Sequence, residues 1–145
     1  MPGGQPTDIS ILLSGEAGQG LQTLERLMLG VFKHAGWHVH SYSEFMSRIR
    51  GGNNSTALRI ASVPVHACRE RIDICVPFSA SALERFVQRI TPETIILGDS
   101  EIIPGRYQEQ GLNVVDVPLT RMAREAGGAM SLNMIVLGLL SGFLG

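Results

Sequence analysis

Two stretches carry more chemistry than packing needs. GEAGQG, from Gly15 to Gly20, follows the apolar run ILLS and precedes a helical pattern. A glycine loop between a strand and a helix exposes backbone N–H groups beside the positive end of the helix dipole, and both features favour an anion. The donors would be Gly15, Gly18, Gln19, Gly20 and Leu21. The order is G-x-x-G-x-G, not the G-x-G-x-x-G of dinucleotide sites. Leu21 and Gln22 stand where a P-loop carries Lys and Ser or Thr. With no γ-phosphate contact and no magnesium ligand, nucleotide hydrolysis is excluded. The residues alone leave two readings open, an anion cradle or a tight turn that lets helix and sheet pack closely.

The second stretch runs from Glu44 to Thr56. Arg48 and Arg50 place two permanent charges beside the Gly51-Gly52 hinge, and Asn53, Asn54, Ser55 and Thr56 add hydrogen-bonding capacity. Such a loop suits a carboxylate, a phosphate or a partner backbone; a solvated turn is the plainer reading. Glu44 could also meet a ribose hydroxyl, as in a Rossmann site. His38 and His40 share a strand face without a visible third metal ligand, and read as partly buried strand residues. Asp99 and Glu101 lie at a strand's carboxyl end, where α/β sites form, or cap a turn there. No Ser-His-Asp or Cys-His arrangement is legible.

The elements that position these residues alternate. Strands are predicted at 9–14, 37–42, 57–61, 72–76, 94–98 and 112–117. A helix over 21–35 carries Leu21, Leu24, Met28, Val31, Phe32 and Ala35 at helical spacing, and Gly36 ends it in a left-handed conformation. Ser79 or Ser81 caps a helix to residue 90, with Leu83, Phe86, Val87 and Ile90 inward. Pro118 or Leu119 opens another to residue 126, and Ser131 caps a final apolar one. Residues 37–76 hold three strands and no helix, so the sheet is mixed. The expectation is a three-layer α/β fold, mostly parallel or mixed, with helices on both faces. Residues 1–8 read as a flexible N-terminal segment and 9–145 as one domain.

A formal charge of −1 argues against nucleic acid. Cys68 and Cys75 form no C-x-x-C pair, which argues against zinc or an iron–sulfur cluster in this chain and fits a cytoplasmic protein with reduced thiols. Residues 127–145 are uncharged, with Gly138 and Gly142 in G-x-x-x-G spacing. They barely reach spanning length and no charged flank follows, so a helix buried in an assembly is expected rather than a membrane anchor.

Together, ILLSGEAGQG and YSEFMSRIRGGNNSTALRI resemble the gamma domain of the 2-oxoacid:ferredoxin oxidoreductases. RIDICVP, VPLTRMA and Asn133-Met134 before Leu137-Gly138 agree in order, so the resemblance spans about residues 9–142. It most resembles the form fused to the alpha subunit's N-terminus in 2-oxoglutarate:ferredoxin oxidoreductases and related 2-oxoacid enzymes (pyruvate among the candidate oxoacids), although stand-alone gamma subunits also exist. The resemblance implies a multi-subunit enzyme that converts a 2-oxoacid and coenzyme A to acyl-CoA and carbon dioxide. Electrons pass to ferredoxin through iron–sulfur clusters, and thiamine diphosphate carries the decarboxylation. This chain shows no thiamine diphosphate signature and no cluster cysteines, so the resemblance implies that those groups lie in other domains or subunits of the complex, its alpha and beta partners. The family's gamma domain is associated with coenzyme A and with subunit packing. The glycine loop would then face a phosphate of coenzyme A.

Overall fold

The computed structural model describes residues 8–16, 20–45, 53–127 and 129–144. In chain order the elements are β1 (Asp8–Glu16), α1 (Leu21–His34), β2 (His38–Phe45), β3 (Asn53–Ala61), β4 (Ile74–Pro77) and α2 (Ala80–Phe86). There follow a 3-10 turn (Val87–Arg89), β5 (Ile95–Gly98), α3 (Arg106–Glu109), β6 (Asn113–Asp116), α4 (Leu119–Ala126) and α5 (Ala129–Leu144). The strands form one sheet in the order β2-β3-β1-β4-β5-β6. β1 and β2 both pair antiparallel with β3, and β1, β4, β5 and β6 run parallel. The sheet is therefore mixed, as the helix-free stretch from 37 to 76 requires.

Alternation along the strands divides the core into two layers. Ile11, Leu13, Ile74, Val76 and Leu97 face α1 and α5, meeting Leu24, Met28, Phe32, Val136 and Leu140. Leu12, Cys75 and Ile96 face the other way, against Leu83 and Phe86 of α2, Ile90, and Tyr107 of α3. Each fully buried side chain such as Leu24 or Leu83 contributes about 2 kcal/mol of burial free energy.

Helix ends follow their residues. At the end of α1, Gly36 takes φ 96° while its amide reaches the Lys33 carbonyl and the Trp37 amide reaches that of Phe32. This is a Schellman closure, in the left-handed conformation expected there. Ser79 caps α2, its hydroxyl accepting from the Ala82 amide at 3.2 Å. Val31, assigned above to the buried face of α1, is 43% exposed, because Leu24, Met28 and Phe32 already fill the stripe against the sheet.

Several boundaries differ from expectation. β1 continues through Gly15 to Glu16, β2 to Phe45, and β3 begins at Asn53. The predicted 44–56 loop is thus strand at both of its ends, 44–45 in β2 and 53–56 in β3. Its polarity hid this, because the polar side chains are satisfied across strands: Ser43 Oγ donates to Glu25 of α1 at 3.0 Å and lies 3.1 Å from Thr56 Oγ1. Pro77 ends β4 from within it, paired opposite Ser14. α5 starts at Ala129, so Ser131 lies inside its first turn and does not cap it.

Candidate functional site

Every parallel strand points its carboxyl end to the same edge of the sheet, and the glycine stretch lies there. Gly15 belongs to β1 itself, buried and paired with Asn54. It is not part of the turn, contrary to the sequence reading. Gly18 and Gln19 lie outside the described residues. Gly20 is the N-cap of α1, at φ 80° and ψ 23°, and no side chain caps the helix. The first intrahelical bond runs from the Leu24 amide to the Gly20 carbonyl, 3.1 Å. The amides of Leu21, Gln22 and Thr23 therefore have no acceptor within the helix. No acidic residue sits in this first turn to occupy the positive end. The Leu21 side chain is in the core, so only its amide is available to a ligand.

The strand register brings the second stretch to the same place. Glu16 pairs with Asn53 and Gly15 with Asn54, which in turn pairs with Phe45. Arg48, Arg50, Gly51 and Gly52 lie outside the described residues, within the connection whose two ends are fixed here. Asn53, Asn54 and Glu44 are strand residues rather than loop residues. Glu44 pairs with Ser55, and its carboxylate takes Arg85 of α2 at 3.0 Å. α2 packs on the sheet face opposite α1. With β3 between β1 and β2 as well, Glu44 stands in the wrong place for a ribose hydroxyl beside the glycine turn. The independent Rossmann reading loses its acidic partner.

A residue of α5 completes this edge. Asn133 is 6% exposed in an uncharged helix, and its Oδ1 has no hydrogen-bond partner among the described residues. A Cβ placed on Gly20 would lie 2.8 Å from Asn133 Nδ2. Gly20 is thus glycine for two reasons, its positive φ and this contact. A larger residue at Gly20 disturbs packing directly, and cannot serve as a purely local probe of ligand approach.

The sequence profile of the pyruvate ferredoxin/flavodoxin oxidoreductases matches residues 10–145. The chain belongs to that family. It is 25% identical over 142 residues to the 2-oxoglutarate synthase subunit KorC of Archaeoglobus fulgidus, covering 97% of this chain and 73% of that subunit. It is 28% identical over 75 residues to the alpha subunit of a Sulfolobus 2-oxoacid:ferredoxin oxidoreductase, covering 52% of this chain and 12% of that one. The structure superposes on the 2-oxoglutarate:ferredoxin oxidoreductase of Magnetococcus marinus with TM-score 0.82 and 26% identity. That match covers 92% of this chain and 24% of that one, whose structure holds 2-oxoglutarate, coenzyme A and succinyl-CoA. This chain therefore spans a small part of those two relatives.

The remaining candidates in this oxidoreductase-family domain have structural explanations. Asp99 is 3% exposed and accepts from the amides of Glu101 and Thr120, both at 3.0 Å. It closes the turn after β5 and caps α4 from a distance. Burial opposes its ionisation, but those two amides, with the Thr120 hydroxyl and the charge of Arg121, together outweigh it and hold its carboxyl below the ordinary value. His38 is exposed rather than partly buried, and His40 is half-buried. Among the described residues no group of three or more His, Cys, Asp or Glu could hold a metal. Cys75 is fully buried, which pushes its thiol up to about 12; burial also raises that of half-buried Cys68. Among the described residues no helix is long and apolar enough to cross a membrane.

Proposed function

We propose that this chain is the gamma-type domain or subunit of a 2-oxoacid:ferredoxin oxidoreductase complex, where it contributes to coenzyme A binding and to assembly with alpha and beta partners. The overall reaction is 2-oxoacid plus coenzyme A and two oxidised ferredoxins to acyl-CoA, carbon dioxide, a proton and two reduced ferredoxins. One observation carries the coenzyme A reading: the glycine-capped start of α1, with three amides lacking intrahelical acceptors and no acidic residue beside them. The coenzyme A and succinyl-CoA held by the Magnetococcus enzyme support it. Thiamine diphosphate and the clusters belong to other parts of the complex. Arg48 and Arg50 would face a partner or a shared cleft, since buried guanidinium groups need anions.

The test is hydrogen exchange on the assembled complex with and without coenzyme A. Protection of the amides of Leu21, Gln22 and Thr23 is expected. Exchange there that coenzyme A leaves unchanged retires the phosphate cradle and leaves the glycines as a packing turn. The chain alone is expected to turn over no 2-oxoacid with a dye acceptor, because decarboxylation and electron transfer are cofactor chemistry.

A further inference from the structure

We propose that Asn133 is a ligand-binding residue of this same site, supplying the side-chain contact that the α1 amides lack. The inference rests on the coenzyme A reading above but has its own observation. Buried polar atoms are nearly always hydrogen-bonded, and an orphan costs stability. Asn133 Oδ1 is buried without a partner among the described residues, on a helix whose other described inward residues, Val136, Leu137 and Leu140, are apolar. Its Nδ2 borders Gly20, where only the absence of a Cβ leaves room for the carboxamide. Rotating the amide about its last torsion exchanges nitrogen for oxygen, so both chemistries are available at that point.

A molecule matched to this arrangement has a phosphate for the amides of Leu21, Gln22 and Thr23 and for Nδ2. Beside that phosphate it has an N–H or O–H donor for Oδ1. Coenzyme A carries both, through its hydroxyl and amide groups next to phosphate esters. Inorganic phosphate offers only the first. A leucine at 133 would remove the orphan polar atom while roughly keeping the volume. Asparagine there is a stability cost that a ligand contact accounts for.

The experiment uses the assembled complex with Asn133→Leu and Asn133→Ala. It compares the KM for coenzyme A, the KM for the 2-oxoacid and the thermal midpoint of each. Asn133→Leu is expected to keep or raise the midpoint while raising the coenzyme A KM about tenfold, with the 2-oxoacid KM unchanged. Asn133→Ala should give the same split in KM at a lower midpoint, and decides the matter if the leucine variant fails to assemble. An unchanged coenzyme A KM overturns the proposal, whatever the midpoint does. Exchange at Leu21–Thr23 in the unmodified complex separates the two failures. Protection there with no effect of Asn133 sinks only this inference, whereas no protection sinks the coenzyme A reading and this inference with it.

Discussion

Replacing Gly20 by alanine tests the contact between the start of α1 and α5. Two costs add. At φ 80° an L-residue costs about 1 kcal/mol relative to glycine. The new Cβ would lie 2.8 Å from Asn133 Nδ2, so a buried side chain must move, at about 2 kcal/mol. The sum is about 3 kcal/mol, or on the order of 10 °C in thermal midpoint for a chain of this size. Gly36 is the internal control: its φ is 96°, but a Cβ there meets nothing within 4 Å. Gly36→Ala should therefore cost only the first term, about 1 kcal/mol. Adding Asn133→Ala should reduce the Gly20→Ala cost to the Gly36→Ala level, a coupling of about 2 kcal/mol. Urea unfolding of the four variants in the full chain measures this. A Gly20→Ala cost no larger than that of Gly36→Ala, or simple additivity with Asn133→Ala, refutes the reasoning.

Acid should unfold the chain through two carboxylates. The hydrogen-bonded Arg59 holds Asp8 below its ordinary value of 3.8, and Asp99 is depressed by backbone amides. Depressed folded values mean stabilisation that is complete above about 3.8 and lost as the pH falls through the folded values. Asp8→Asn and Asp99→Asn should each flatten the loss seen by circular dichroism below that pH, and an unaltered acid profile counts against both assignments. Replacing Arg48 and Arg50 together by alanine should lower turnover of the complex without changing the thermal midpoint of the chain; an unchanged rate removes them from the site. A thiol reagent at neutral pH should leave Cys75 unmodified until the chain is denatured, with any native labelling confined to Cys68. Native labelling of Cys75 would mean that the α2 side of the core opens.

Much of this was legible in the residues. Alternation and helical spacing located the strands and helices because burial dictates both, and the helix-free run from 37 to 76 announced the mixed sheet. Legibility failed where polar residues are satisfied by distant partners. Glu44, Asn54 and Thr56 read as loop, and Ser43 lay outside the predicted strand, because nothing local shows that Glu25 meets Ser43 and Arg85 meets Glu44. The glycine turn was visible as a candidate anion site, but its neighbour Asn133 was not. Its one signal is a carboxamide in an uncharged helix, and only the packing of α5 against α1 brings it to Gly20, 113 positions away in a chain of 145. Asp99 stood out for its position, yet what it does there depends on Thr120, which spacing does not reveal.

The nine-pair ladder between β1 and β3, from Asp8 opposite Ala61 to Glu16 opposite Asn53, sets a rule for insertions and deletions. Its register is held by Leu58 and Ile60, which must face α1, and by Arg59 at 2.8 Å from Asp8 at the far end. One residue added within β3 would turn Arg59 inward and Leu58 outward along part of the strand. The pairing that fixes Phe45 and Asn53 at the ends of β2 and β3 does not depend on the number of residues between them. Loops of other lengths and charges, spliced between Phe45 and Asn53, should leave the sheet intact. Such exchanges would make the arginine-bearing segment a replaceable cartridge on a scaffold whose spacing tolerates almost no editing.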